Sequence, residues 1–155
     1  MIICGIDPGF SGAVVFYCPK RNLLEIHDMP TMKDPKGRTI VNMSALYDVL
    51  NPCGEDVRAV VEFVASRPGQ AAGATFRFGQ GYGAIQMALA AHQVPVQYVT
   101  PAKWKKYFGL SKDKGSSRGL AIQRFPQVSD KFSRVKDDGR AEAALIALYG
   151  KENLF

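Results

Sequence analysis

Residues 1–9, Met1-Ile2-Ile3-Cys4-Gly5-Ile6-Asp7-Pro8-Gly9, limit what this chain can become more than any other stretch. Ile2, Ile3, Cys4 and Ile6 make an apolar run without alternation, the pattern of a strand buried on both faces at the middle of a sheet. Asp7 sits in that run, and Pro8-Gly9 turns the chain directly after it. An ionised carboxylate at the core of a sheet is costly unless donors or a cation meet it. Asp7 is therefore either a satisfied structural acid or a metal ligand.

The following segments supply the rest of the sheet. Ser11-Gly12 opens a second run, Ala13 to Tyr17. Lys20-Arg21-Asn22 turns into a third, Leu23 to His27, and the tight turns predict an antiparallel meander. Residues 28–41, rich in Pro, Gly, Lys and Asp, read as a loop. Asn42 N-caps a helix reaching Leu50, which Asn51-Pro52 stops. Ala59 to Val64 is a fourth strand with one acid, Glu62, near its end. Residues 65–81 read as a glycine-rich loop that lacks the GK[ST] element of a phosphate-binding loop. A helix is expected over about 79–92, then a fifth strand, Pro95 to Val99. Thr100-Pro101 opens a short helix carrying Trp104 and Tyr107. A basic loop over 109–117 ends where Ser116 or Ser117 caps a helix to Phe125, and the last helix begins near Asp138. A helix joins the fourth and fifth strands, so they run parallel. The expected fold is α/β, in one domain over 1–155: a five-stranded mixed sheet of three antiparallel and two parallel strands, flanked by helices.

Charge is unevenly placed. Residues 1–100 hold 8 basic and 8 acidic side chains, whereas residues 101–140 hold 11 and 4, so the net +6 arises in one segment. That favours a polyanionic partner, with a solvated basic face as the plain alternative. Cys4, Cys18 and Cys53 show no metal-ligand spacing, and His27 and His92 have no cysteine or histidine nearby. A reducing cytoplasmic compartment is expected. No membrane segment and no secretory signal are expected, because the opening apolar run is short and carries Asp7.

With the first strand central and the fourth beside it, Asp7 and Glu62 project at comparable height. Asp138 and Glu142 stand one turn apart on the final helix. Mg²⁺ prefers carboxylate oxygen and water, and two such ions about 4 Å apart can activate a water and stabilise a leaving oxygen in phosphodiester hydrolysis. Each acid also has a plain reading. Asp138 and Glu142 suit the start of any helix, with Asp137 beside them, and Glu62 suits a strand edge.

Gly5-Ile6-Asp7-Pro8-Gly9, Val60-Val61-Glu62 and Asp138-Gly139-Arg140-Ala141-Glu142-Ala143 together resemble the RuvC-type Holliday-junction resolvases, which have the RNase H-like fold. The likeness points to compact phage-encoded members. Phe76 to Gly83, Val99-Thr100-Pro101-Ala102-Lys103-Trp104-Lys105 and Lys112-Asp113-Lys114 fit the same pattern. A Gly-Ile-Asp-x-Gly strand also occurs in actin-like ATPases, but those need a second lobe and far more chain, so no nucleotide cofactor is expected.

The resemblance implies that Asp7, Glu62, Asp138 and Glu142 hold Mg²⁺ or Mn²⁺, two ions per site. It departs at Glu142: the bacterial pattern commonly ends with two aspartates three apart, so Asp137 stands as the alternative to Asp138. The resemblance also implies a lysine at the scissile phosphate, Lys114 first and Lys112 second. Lys103, Lys105, Lys106 and Arg118 suit phosphate contacts, and Phe76 and Arg77 lie on the segment expected to meet unpaired bases; Phe76 or Phe78 could equally belong to the core of the following helix, the reading favoured for Phe78. Gly5 and Gly9 are read as letting a phosphate backbone approach Asp7. The implied activity is a crossover junction endodeoxyribonuclease, a homodimer making paired nicks in four-way DNA junctions. A broader nuclease for flaps, forks or RNA–DNA hybrids and a catalytically silent DNA-binding module are the rivals.

Overall fold

In the computed structural model the described residues are 1–66, 68–111 and 114–155, Lys114 by its backbone alone. The strands are β1 (Ile2–Asp7), β2 (Ala13–Cys18), β3 (Leu23–Asp28), β4 (Thr31–Lys33), β5 (Thr39–Val41), β6 (Val57–Glu62) and β7 (Val96–Val99). The helices are α1 (Met43–Val49), α2 (Ala72–Ala91), α3 (Pro101–Tyr107), α4 (Lys114–Arg124) and α5 (Asp138–Asn153). Two 3-10 segments, Pro126–Phe132 and Val135–Asp137, lead into α5.

The main sheet has the order β3-β2-β1-β6-β7. The first three strands pair antiparallel, and β1–β6 and β6–β7 pair parallel, so the expected mixed sheet with β1 central is the observed one. β1 is buried on both faces because each face has its own core. Ile3, Val15 and Val60 pack with Trp104 and with Ala144, Leu145 and Leu148 of α5. Cys4, Ile6, Val14 and Val61 pack on the opposite side with Leu46 of α1 and Ile85 and Leu89 of α2.

Three expectations are corrected. Residues 28–41 are not a plain loop: β4 and β5 pair as a small antiparallel hairpin, Met32 facing Ile40. The helix expected over 79–92 begins at Ala72, so residues 72–81 are helical rather than a loop. Glycine lowers helix propensity, but close packing prevails: a Cβ on Gly81 would stand 2.7 Å from Val41 Cγ2, so α2 meets the hairpin through that glycine. Finally, α4 begins at Lys114, which places Ser116 and Ser117 inside the helix rather than at its cap. Among the described residues no helix is long and apolar enough to cross a membrane.

Candidate active site

Strand parity decides which acids share a face. Side chains on β1 alternate, so Ile3, Gly5 and Asp7 point to one side of the sheet. Val60 and Glu62 do the same on β6, and both Ile3 and Val60 belong to the core under α5. Ile6 pairs with Val61 in parallel register, so Asp7 and Glu62 end their strands at the same level. The carboxyl ends of neighbouring parallel strands are where open α/β sheets place their ligands.

Glu62 is 7% exposed, and its Oε1 accepts from Trp104 Nε1 at 2.8 Å. Trp104 is fully buried. Thr100 caps α3, its side chain accepting from Lys103 N at 3.3 Å, and Pro101 starts the helix, so the indole is carried from β7 back to Glu62. Nothing local in the sequence marks this contact; the one signal is that a lone buried tryptophan needs an acceptor for its N–H.

α5 brings the other two acids. Its first turn presses on the β1–β2 turn through Gly139, where a Cβ would fall on the Ser11 carbonyl and stand 2.7 Å from Gly12 Cα. Asp138 and Glu142 then line a cleft of about 240 Å³ together with Asp7, Gly9 and Ser11. A second cleft, of about 220 Å³, is lined by Asp7, Glu62, Gln70 and Phe78. Asp7 is thus common to both, and Gly9 N–H donates to its Oδ1 at 3.2 Å. Gly9 leaves ordinary room beside that oxygen, with a Cβ position 3.7 Å away. Gly5 serves packing instead of a phosphate approach: a Cβ there would fall on the Ala143 carbonyl and the Ala147 amide of α5.

The electrostatics follow from this crowding. Burial, then the charges of Glu62 and Glu142, push the Asp7 carboxyl up to about 7, against the smaller pull of the Gly9 amide and Lys105. The two α5 acids are met by cations. Arg118 Nε donates to Asp138 Oδ1 at 2.7 Å, and Lys105 Nζ to Glu142 Oε1 at 2.8 Å. Lys105 also lies 5.0 Å from the Trp104 ring centroid, which steadies it over the indole face. Ser117, 2% exposed, donates from Oγ to the same Glu142 oxygen at 3.4 Å. Among the described residues, no three His, Cys, Asp or Glu side chains already stand as a cation cage. The donor set is all carboxylate oxygen, which fits a hard dication, and Asp7 carries the charge strain that such a cation relieves. Occupancy requires Arg118 and Lys105 to yield the α5 acids.

Asp137 is placed differently from Asp138. It is 1% exposed, and its carboxylate takes the Arg134 backbone N–H at 2.9 Å and the guanidinium at 2.8 Å. Those hydrogen bonds hold its carboxyl below the ordinary range. Arg140, whose Nη1 is 3.6 Å from Asp137 Oδ1, also binds both Asp28 oxygens at 2.6 Å. Asp137 is thus committed to arginines in the wall, while Asp138 faces the cleft with Asp7.

Lys103 and Lys106 are exposed on α3. Phe76, on α2 and not on a loop, is 67% exposed, whereas Phe78 packs against Phe10 and Tyr82. Arg77 is half-buried on the same helix. Lys112 and the side chain of Lys114 lie outside the described residues.

No protein-family model matches the chain. Solved structures do match it over nearly their whole length. Thermus thermophilus RuvC in complex with a Holliday junction substrate has a TM-score of 0.67 at 18% identity, covering 99% of this chain and 96% of that one. A second T. thermophilus RuvC structure gives 0.62 at 17%, covering 98% and 96%. The fowlpox virus Holliday junction resolvase gives 0.56 at 18%, covering all of both chains. At such identities the likeness establishes the fold, the RNase H-like architecture of RuvC, which is the one the three acidic motifs pointed to.

Proposed function

We propose that this chain is a metal-dependent endonuclease that nicks branched DNA, acting on four-way junctions as a homodimer. One observation carries the reading: Asp7 ends the central strand in a buried place, and that burial, followed by the charges of Glu62 and Glu142 from two other elements, raises its proton affinity. A fold has little reason to gather acids there unless the site takes up a cation. Asp7, Glu62, Asp138 and Glu142 would hold Mg²⁺ or Mn²⁺, which supplies Lewis acidity and an acidified water when bound.

The chain's own residues do the positioning. Trp104 fixes one oxygen of Glu62. Lys105 and Arg118, now turned to the α5 acids, become available to phosphate oxygens once those acids are otherwise engaged. Lys103 and Lys106 extend the basic track along α3, and such contacts position a strand without reading its sequence. Phe76 offers an exposed ring for an unpaired base. Lys114 opens α4, the helix that carries Ser117 and Arg118 to the cleft, and keeps its proposed role at the scissile phosphate. The homodimer rests on the substrate: paired cuts in a two-fold junction need two sites related by a two-fold axis. Cys4, Cys18 and Cys53 are free thiols, which fits a reducing compartment.

A substrate panel tests the reading. With Mg²⁺, a synthetic four-way junction is expected to be cut in paired nicks at least about tenfold faster than fork, flap, linear duplex or RNA–DNA hybrid, a preference worth about 1.4 kcal/mol. Equal rates on all would favour the broader nuclease. Binding without cutting would favour the silent module.

A further inference from the structure

We propose that Lys136 is a further phosphate contact of the active site, gripping the DNA strand on the flank opposite α3. The inference rests on the reading of the cleft as a DNA site. Around this end of the sheet most basic groups are already committed: Lys105 to Glu142, Arg118 to Asp138, Arg134 to Asp137, and Arg140 to Asp28 and Asp137. Among the described residues, Lys136 is the basic side chain that lines the cleft of Asp7, Asp138 and Glu142 and has no carboxylate partner. It also lines the adjoining cleft of about 240 Å³ beside Phe10, Ser11 and Arg134, so it stands where the two meet.

The backbone that carries it is braced. Lys136 lies on the 3-10 turn Val135–Asp137, two residues before the start of α5; the turn is closed by the buried Asp137 carboxylate, which accepts from the Arg134 backbone N–H and guanidinium, and by the Asp137 N–H donating to the Arg134 carbonyl. Arg140 ties the same carboxylate to Asp28 at the end of β3. A lysine on such a turn keeps its place while its ammonium stays in water, the usual arrangement for a contact made on binding. Its position also answers an electrostatic problem. The acids repel a phosphodiester, and Lys105 and Arg118 approach them only from the α3–α4 side. A strand crossing Asp7 therefore meets a cation on its other flank only at Lys136, among the described residues lining the cleft.

The test is equilibrium binding of a fluorescent four-way junction over a salt series in EDTA, so that nothing is cut. The proteins are the parent, Lys136→Ala, Lys136→Arg and Lys151→Ala. Lys151 changes net charge equally but lies thirteen residues along α5, about 20 Å from Asp138. Lys136→Ala is expected to bind about fivefold more weakly at 0.1 M salt (~0.1 M, where the Debye length is about 10 Å). Its slope of log affinity against log salt should be shallower by about one. Lys136→Arg should restore both, and Lys151→Ala should match the parent. An unchanged slope in Lys136→Ala, or an equal loss in Lys151→Ala, overturns the assignment and leaves the nuclease reading standing. A parent that binds no junction at any salt overturns both.

Discussion

Asp7→Asn is expected to abolish junction cleavage while making the metal-free protein more stable. The folded protein holds the Asp7 proton up to about pH 7, against an ordinary value of 3.8. Between those values the native state binds more protons than the unfolded state, so stability falls as pH rises through that window. Asparagine removes the buried charge and its repulsion from Glu62 and Glu142. At pH 8 in EDTA, urea unfolding should show Asp7→Asn more stable than the parent by roughly 2–4 kcal/mol, with little difference at pH 4. Cleavage should drop at least about a thousandfold, the scale on which a principal charge-stabilising group acts. A variant that is no more stable at pH 8 would mean that the crowding of acids around Asp7 is not what the geometry implies.

Gly5→Ala is expected to damage the fold rather than the chemistry. The added methyl would fall on backbone atoms of Ala143 and Ala147, which cannot rotate away as a side chain can. Either α5 lifts from β1 or the strand shifts, and both move Asp138 and Glu142 off Asp7. The cost should be about 3–5 kcal/mol, against typical totals of about 5–15 kcal/mol. Thermal denaturation should show the loss with and without Mg²⁺. Gly9→Ala serves as the contrast: a Cβ there lies 3.7 Å from Asp7 Oδ1 and should cost little stability.

Much of this was legible in the chain itself. The unbroken apolar run ending in Asp7 gave the central strand. The helix between β6 and β7 gave their parallel pairing, and a central first strand with the fourth beside it put Glu62 at the height of Asp7, as the register then shows. What the sequence hid was set by contacts distant in the chain. The glycines of α2 read as a loop because propensity is local, while the packing of Gly81 on Val41 is not. Gly5 read as a passage for phosphate because nothing in the motif shows α5 lying on it. Asp137 and Asp138 are indistinguishable in sequence; Arg134 and Arg140 draw one into the wall and leave the other at the cleft. The pattern around Trp104 shows a helix but not its link to Glu62, since 42 residues separate them.

The acids of α5 now face Arg118 and Lys105, so metal binding requires these carboxylates to exchange a protein cation for the metal. Crystals of the protein soaked in Mn²⁺ and measured at the manganese absorption edge test that directly. Anomalous peaks should appear between Asp7, Glu62, Asp138 and Glu142, with Arg118 and Lys105 displaced, and should vanish in Asp7→Asn. Peaks only elsewhere, or Arg118 and Lys105 still paired with the α5 acids at saturating Mn²⁺, would rule out a metal site at these four carboxylates.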